Sequence, residues 1–220
     1  MRKYVIIVAG GSGQRMKSDI PKQFLLLKNK PVLMHSIEAF FTYDNEINII
    51  LTLPEIHVEY WRSLCLKFDF KIDHQIVVGG KTRFHSVKNG INAISKSDLI
   101  AVHDGVRPLI DISTIEKCFN VATEKGNAIP VTDIPESIRE INDKSNKSVN
   151  RENFKIVQTP QVFKSEILIK AYKQEFKEYF TDDASLLDEM GEKLNLVEGN
   201  RENIKITTQS DLVIAEALLV

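Results

Sequence analysis

Short runs of apolar and β-branched residues recur along this chain, and stretches with a helical spacing of apolar positions lie between them. The runs predict strands near residues 4–8, 47–53, 75–78, 99–103 and 128–131. Strands of this kind that alternate with helices are typical of a mainly parallel sheet with both faces covered. The pattern therefore predicts an α/β fold.

The spacing of apolar residues also predicts the helices. Apolar positions recur with a helical period over residues 32–41 and 84–94, and Pro54 suits the first turn of another helix. The remaining predicted elements are helices at residues 113–125, 164–178 and 183–190 and from residue 210, and strands at residues 193–199 and 203–207. We expect one domain that spans residues 1–220.

Residues 133–153 interrupt this alternation. The segment is polar, and a cluster of turn-forming residues lies between two short extended flanks. This arrangement predicts a β-hairpin arm that projects from the body of the protein. Because a lone hairpin cannot bury both of its faces, we expect the arm to pack on a second chain, with a disordered surface loop as the alternative.

Composition and charge exclude several classes of function. The chain has 220 residues, 43% of them hydrophobic, and a net charge of -1, so it lacks the basic surface that nucleic-acid binding requires. No segment has the pattern of a membrane span or a signal peptide, so we expect a cytoplasmic protein without a membrane partner. The cysteines and histidines lack metal-site spacing, and no residue is predicted to ligate a metal directly.

A glycine-rich turn follows the first predicted strand. Residues 9–13, AGGSG, have little or no side chain, so their backbone N–H groups could approach a phosphate closely. Arg15 and Lys22 follow and add positive charge. Met16 stands where a dinucleotide-binding fingerprint requires its third glycine, which argues against NAD binding. The turn indicates an anion site, and a glycine turn required only for packing is the alternative.

Two further polar turns follow predicted strands. Gly80 ends one strand and Ser86 lies in the first turn of the next helix, while Asp104 and Arg107 follow another strand. In parallel α/β sheets, ligands bind outside the carboxyl ends of the strands, so we expect these residues to share a crevice with the glycine-rich turn. A structural ion pair between Asp104 and Arg107 is the alternative. We expect His103 to support the strand end rather than to act as a general base.

The C-terminal part of the chain carries polar groups within apolar surroundings. Arg151, Thr159 and Lys205 are such groups, and Lys205 lies between Ile204 and Ile206 in a predicted strand. An exposed strand lysine without a functional role is the alternative for Lys205.

Six motifs follow one another along almost the whole chain: AGGSGQRM with PKQ downstream, GGKTRFHSV, HDGVRP, VQTPQVF, TDDAS and VEGNRENIKIT. Their order resembles that of the 2-C-methyl-D-erythritol 4-phosphate cytidylyltransferase family. The resemblance implies a Rossmann-like fold and a homodimer joined by the hairpin arm. It also implies a reaction of CTP with methylerythritol phosphate that depends on Mg2+, with the cation bound mainly through the CTP phosphates.

The resemblance further implies a role for each matching residue. Arg15 and Lys22 would stabilise the transition state, and Arg151 and Lys205 would position the phosphate acceptor. The other matches are Gly10, Gly11 and Gly13 at the triphosphate, Ala9, Gly80 and Ser86 at the cytidine, and Asp104, Arg107 and Thr159 at the methylerythritol side. Lys81 departs from the family pattern, in which an acidic residue lies beside the cytosine.

Two other functions are compatible with parts of this pattern. Ribitol-5-phosphate cytidylyltransferase shares the glycine loop, PKQF, HD-x-VRP and QTPQ, whereas TDDASLLDEMG and VNR favour the methylerythritol enzyme. A non-catalytic nucleotide-binding module would keep the glycine loops but would not need the cations. The joint presence of Arg15, Lys22, Arg151 and Lys205 argues against such a module.

Overall fold

The computed structural model describes residues 1–11, 20–143 and 145–219. Its strands are β1 (Lys3–Val8), β2 (Leu26–Leu27), β3 (Lys30–Pro31), β4 (Asn48–Leu53), β5 (Gln75–Val78), β6 (Leu99–Asp104), β7 (Asn127–Thr132), β8 (Arg139–Asn142), β9 (Ser145–Ser148), β10 (Ile156–Val157), β11 (Gln161–Lys164) and β12 (Leu196–Glu198). Its helices are α1 (Val32–Tyr43), α2 (Val58–Lys67), α3 (Arg83–Asn92), α4 (Ile112–Lys125), α5 (Ser165–Ala171), α6 (Ala184–Glu189) and α7 (Gln209–Leu218). The α/β fold predicted from the apolar pattern is confirmed.

Among the described residues, eight strands form one mixed sheet. Their order is β10, β7, β11, β6, β1, β4 and β5, and β12 also pairs with β7. β6, β1, β4 and β5 run parallel to one another, whereas β11 lies antiparallel between β6 and β7. The carboxyl ends of β1, β5 and β6 therefore lie at one edge of the sheet.

Side chains that alternate along β1 are buried on opposite faces of the sheet. Val5 and Ile7 pack in a core with Phe40 of α1, while Ile6 packs on the other face with Phe84 of α3. Burying a large apolar side chain contributes roughly 1.5–3 kcal/mol. Because helices cover both faces of the central strands, the turns that follow β1, β5 and β6 begin from fixed positions.

The predicted helix over residues 164–178 is shorter in the structure, where α5 ends at Ala171. The side-chain amide of Gln174 donates to the carbonyl oxygens of Ala171 and Leu186, each at 3.0 Å. A terminal helix carbonyl that is satisfied by a side chain no longer requires another helical turn. No helix in the described part of the chain has the length and apolar character needed to cross a membrane.

The prediction of a strand at residues 203–207 was wrong, since this segment has no regular secondary structure. It docks instead through Ile206, whose N–H donates to the carbonyl oxygen of Val106 at 2.9 Å. The Ile206 side chain is buried against Val106, Leu27 and Ala215. A single backbone bond and one buried side chain therefore fix the position of Lys205.

The predicted hairpin is present between residues 133 and 153. β8 and β9 pair antiparallel, with Arg139 opposite Ser148 and Asn142 opposite Ser145, apart from the main sheet. All residues of both strands are exposed, including the large apolar side chain of Ile141. The packing of this arm on a second chain stays a prediction.

Candidate functional site

A cavity of about 320 Å³ opens at the edge where β1, β5 and β6 end. The predicted site residues that line it are Ala9, Gly10, Gly11, Lys22, Gly80, Ser86, Asp104 and Lys205. They come from turns that are far apart in the sequence and that the parallel strands bring together. The structure thus places most of the described candidate residues around one crevice.

The other predicted site residues lie elsewhere or cannot be placed. Gly13 and Arg15 fall outside the described residues. Arg107 and Thr159 do not line the cavity and contact Asp104 from behind its wall. Arg151 is exposed in a short 3-10 helix, and its guanidinium donates to the carbonyl oxygen of Pro135 within the arm segment. Within one described chain, the structure does not bring Arg151 to the cavity.

The PKQ turn contacts the glycine-rich loop through the side chains of Lys22 and Gln23. The Lys22 side chain reaches Gly11, because a Cβ added to Gly11 would lie 3.7 Å from Lys22 Cε. Gln23 is fully buried, and its Nε2 donates to the carbonyl oxygen of Ala9 at 2.9 Å. Sequence reasoning missed Gln23, although its place directly after Lys22 in the motif could have indicated it. The bond from Gln23 to Ala9 holds the neighbouring Lys22 beside the glycine-rich loop.

The turn after β5 is held by the first residues of α3. The N–H of Gly80 donates to Ser86 Oγ at 3.1 Å, and that hydroxyl donates to the carbonyl oxygen of Thr82 at 3.0 Å. Thr82 also caps α3 by accepting from the N–H of His85. The Ser86 hydroxyl therefore shapes its own loop in this structure, and its contact with a nucleotide stays a prediction.

Asp104 is surrounded by cations at the end of β6. Lys205 Nζ lies 2.9 Å and Arg107 Nε 3.4 Å from its Oδ2, while Arg83 Nε lies 3.5 Å from its Oδ1. Burial alone would raise the pKa of Asp104, but the charges of Arg83, Lys205 and Arg107 outweigh burial and hold the pKa well below its usual range. The Asp104–Arg107 ion pair is thus real but belongs to a larger cluster, whose excess of cations suits an anionic ligand.

Arg83 joins Asp104 to a second buried carboxylate. Its Nη2 lies 2.6 Å from Oδ2 of Asp183, and the hydroxyl of Tyr172 donates to Oδ1 of Asp183 at 2.5 Å. Burial acts to lower the pKa of Arg83, but Asp183 and Asp104 raise it well above its ordinary value. Arg83 therefore stays charged at the cavity wall. The predicted site included neither Arg83 nor Asp183, although both lie within motifs that carried the family resemblance.

His103 and Thr159 fix the backbone of Asp104 from the buried side. Thr159 Oγ1 accepts from the N–H of Asp104 at 3.0 Å and lies 3.1 Å from His103 Nδ1. The carbonyl oxygen of Arg107 lies 3.1 Å from His103 Nε2 and can only accept, so Nε2 carries the proton of the neutral ring and Nδ1 accepts from the Thr159 hydroxyl. His103 is neutral and supports the strand end, as predicted. Thr159 uses its hydroxyl in the same network.

We expect the free energy of unfolding to fall as the pH is lowered from about 6.5 to about 4. Burial lowers the pKa of His103 from 6.5 to about 4. In this interval the unfolded chain binds the proton and the folded protein does not, so stability present above pH 6.5 is lost as the pH falls. The loss attributable to His103 is on the order of 3 kcal/mol. Urea unfolding across this pH range measures it, and a His103 imidazole NMR resonance that titrates near pH 6.5 would contradict it.

Comparisons with known proteins bear on the identity of this site. The chain matches the family described as IspD, 2-C-methyl-D-erythritol 4-phosphate cytidylyltransferase, over residues 3–220. It is 54% identical over 220 residues to the protein of that name from Azobacteroides pseudotrichonymphae, with 99% of each chain covered. It is 51% identical over 219 residues to the one from Bacteroides thetaiotaomicron, with 100% of each covered. The crystal structure of 4-diphosphocytidyl-2C-methyl-D-erythritol synthase from Anaerococcus prevotii has a TM-score of 0.85 and 28% identity, covering 99% of this chain and 96% of that one.

Proposed function

This chain belongs to the IspD family of 2-C-methyl-D-erythritol 4-phosphate cytidylyltransferases, and we propose that its cavity joins CTP to 2-C-methyl-D-erythritol 4-phosphate and releases pyrophosphate. The observation that carries the proposal is the convergence of Lys22, Asp104 and Lys205 on the cavity that the glycine-rich turn also lines. That arrangement supplies backbone donors for a triphosphate and cations for a second phosphate.

The charge on both reactants determines what the site has to supply. An oxygen of the acceptor phosphate attacks the α-phosphorus of CTP in line, a P–O bond forms, and the bond to the pyrophosphate breaks. Bringing two anions together costs Coulomb energy unless cations are already in place. We assign Arg15 and Lys22 to the charge that develops on the α-phosphate and the leaving group. Phosphate is itself the nucleophile, so a strong general base is not required.

The nucleotide would lie against the turns after β1 and β5. Backbone N–H groups of Gly10, Gly11 and Gly13 would meet the triphosphate, and Ala9, Gly80 and Ser86 would contact the cytidine. Support for this assignment comes from the positions of the described members of both sets on the cavity wall. Lys81 also lines the cavity beside Gly80, so we expect the base to be read there mainly through backbone groups.

Replacing Gly80 with alanine should raise the KM for CTP at least about tenfold, because the turn that would hold the cytidine has to move. An alanine Cβ at this position would lie 2.3 Å from Cβ of His85 and 2.9 Å from its carbonyl carbon, so backbone must shift. Steady-state kinetics with varied CTP measures the change, and thermal unfolding checks that the fold persists. An unchanged KM would show that this turn does not contact the nucleotide.

The acceptor would bind around the cationic cluster. We assign Lys205 and Arg151 to its phosphate, and Asp104, Arg107 and Thr159 to the polyol side. The contacts described above support a graded arrangement in which Asp104 and Lys205 face the cavity, while Arg107 and Thr159 set the position of Asp104. Holding the acceptor in line with CTP contributes on the order of 7 kcal/mol or more to lowering the barrier.

We propose that Mg2+ enters the site with CTP. Asp104 is the carboxylate on the described cavity wall, and the described residues contain no cluster of three or more His, Cys, Asp or Glu side chains that could hold a metal ion. Asp104 is already paired with three cations, and Mg2+ is commonly bound largely through substrate phosphates and water, so the triphosphate would be its main ligand. When bound, Mg2+ would neutralise phosphate charge.

We also propose a homodimer in which the arm carries Arg151 to the site of the partner chain. Exposed apolar side chains on and beside the arm support this association: Ile141, Phe154, Ile156 and Val157. Large apolar side chains left exposed on the hairpin and on the segment that follows it suit a surface that another chain covers. If Arg151 acts in the partner chain, it does not need to line the cavity of its own chain, and it does not do so.

At an acceptor concentration well below the KM of the Arg151→Ala variant, mixing this variant with Lys22→Ala should restore activity if Arg151 acts in the partner chain. We expect Arg151→Ala to raise chiefly the KM for the acceptor and Lys22→Ala to lower kcat. A mixed dimer would contain one site with both native residues, so roughly a quarter of wild-type activity should return after the subunits exchange. Pyrophosphate release before and after mixing measures this, and no recovery in mixed dimers verified by mass spectrometry would place Arg151 in its own site.

Acceptor-dependent release of pyrophosphate from CTP tests the proposed function directly. The purified chain should release pyrophosphate with 2-C-methyl-D-erythritol 4-phosphate and much less with ribitol 5-phosphate or other polyol phosphates. Release without any acceptor would indicate CTP hydrolysis, and a preference for ribitol 5-phosphate would overturn the acceptor assignment. Absence of release with every acceptor, in the presence of Mg2+, would overturn the function.

A further inference from the structure

We propose that Asp183 is a positioning residue for the acceptor side of the site and that it acts through Arg83, an inference that rests on the proposed function. Asp183 is fully buried and is not among the described residues that line the cavity. Arg83 does line it, and it contacts Asp183 and Asp104 with different nitrogen atoms. A residue behind the wall is thus connected to one that faces the substrate.

The two carboxylates hold Arg83 unequally. Arg83 Nη2 lies 2.6 Å from Asp183, whereas Arg83 Nε lies 3.5 Å from Asp104. A charge-assisted bond of the shorter length is strong, and one at the longer distance is weak. Tyr172 donates to Oδ1 of Asp183, whereas Oδ2 holds Arg83, so the two contacts use different oxygens of the carboxylate. Asp183 therefore keeps the guanidinium back from Asp104.

This restraint determines which oxygen of Asp104 can meet a substrate. Oδ2 is held by Lys205 at 2.9 Å and by Arg107 at 3.4 Å. The ion-pair contact of Oδ1, within the described residues, is the long one to Arg83. Oδ1 thus retains capacity to accept a hydrogen bond from a hydroxyl of the polyol phosphate.

Removing the charge of Asp183 would release Arg83 toward Asp104. The guanidinium could then pair with both oxygens of Asp104, which is the geometry that arginine and carboxylate favour. Oδ1 would be covered, and Lys205 would lose part of its hold on Oδ2. The expected result is weaker acceptor binding with an intact nucleotide side.

Kinetics of Asp183→Asn test the proposal, with Tyr172→Phe as the matched control. We expect Asp183→Asn to raise the KM for 2-C-methyl-D-erythritol 4-phosphate at least about tenfold and to leave the KM for CTP within about twofold. Tyr172→Phe removes a partner of the same carboxylate but keeps the Arg83 pair, so its KM values should stay near wild type. A merely structural Asp183 would lower the free energy of unfolding in both variants without this split in KM, which would overturn the proposal.

A double-mutant cycle tests whether Asp183 acts through Arg83. In an Arg83→Gln background, Asp183→Asn should change the acceptor KM by less than about threefold, because the group that it restrains is gone. An equal effect in both backgrounds would overturn the coupling. If Asp183→Asn does not fold, Arg83→Lys serves instead: its single ammonium cannot bridge both carboxylates, and an unchanged acceptor KM would contradict the proposal.

The proposed function and this inference fail in different ways. A wild-type chain that releases no pyrophosphate from CTP with any acceptor would overturn the function. An active wild type whose Asp183→Asn variant keeps the native acceptor KM would overturn the inference and leave the function intact.

Discussion

Replacing Lys22 with alanine should lower kcat by at least about 100-fold while leaving the dissociation constant of CTP nearly unchanged. Lys22 is largely buried on the cavity wall, with its side chain against Gly11. A fixed charge in such a site is worth most where negative charge grows during the reaction, at the α-phosphate and the departing pyrophosphate. The ground-state triphosphate still has the backbone donors of the glycine-rich turn, so binding should persist.

Single-turnover kinetics and calorimetric titration with CTP separate these two effects for Lys22→Ala. Lys67→Ala is the matched control, because Lys67 is an exposed lysine at the end of α2, away from the cavity. A wild-type kcat for Lys22→Ala would refute its transition-state role. A loss of CTP affinity as large as the loss of kcat would show that Lys22 contributes to ground-state binding instead.

Replacing Lys205 with alanine should lower kcat/KM for the acceptor by about 100-fold or more, with little change in the KM for CTP. Lys205 Nζ contacts Asp104 at 2.9 Å, yet the side chain is 40% exposed, so the ammonium group can also meet an incoming phosphate. Its removal would leave the acceptor phosphate without this cation and Asp104 without its shortest ion pair.

Steady-state kinetics with each substrate varied in turn measure the effect of Lys205→Ala. Lys205→Arg keeps the charge and should retain part of the activity. Lys117→Ala is the matched control and should behave as wild type, because Lys117 lies on a helix with a half-exposed side chain whose Nζ is 3.9 Å from Oε2 of Glu198. If the KM for CTP rose and the acceptor parameters did not, Lys205 would belong to the nucleotide side.

Strands of the central sheet could be predicted from the sequence because each is a short apolar run that ends at a polar turn. β5 matches the predicted residues 75–78, and β6 extends its prediction only by Asp104. Both strands are bounded by turns with glycine or charged residues, and β6 is apolar on both faces. Such a strand can be predicted from the local sequence alone, without knowing which distant parts of the chain pack against it.

The segment around Lys205 shows why other predictions failed. Alternation of Ile204, Lys205 and Ile206 satisfies the pattern of a strand, but a strand also requires a neighbouring strand with free backbone groups. Within the described ranges, the backbone of Ile206 pairs with the carbonyl of Val106, which lies in a turn and not in a strand. The local pattern correctly predicted that Lys205 and the buried Ile206 point in opposite directions. It could not show that no neighbouring strand pairs with this segment in the described structure.

The cluster around Asp104 was predicted only in part for a similar reason. Arg107 is three residues away and was an obvious partner, whereas Arg83 and Lys205 come from other turns and Asp183 pairs with Arg83 across a sequence separation of 100 residues. Such pairs depend on how the turns meet at the sheet edge. The motif resemblance indicated that these segments belong to the site, but only the folded structure shows which of their side-chain atoms are in contact.

The docking of Ile206 on Val106 has a consequence for the newly synthesised protein. A ribosome-bound chain could form the central parallel strands, whose residues all precede position 105, long before Lys205 leaves the exit tunnel. Until then the carboxylate at the end of β6 would lack its nearest cation. Competence for turnover would therefore arise late in translation, and prematurely terminated products would lack the lysine assigned to the acceptor phosphate.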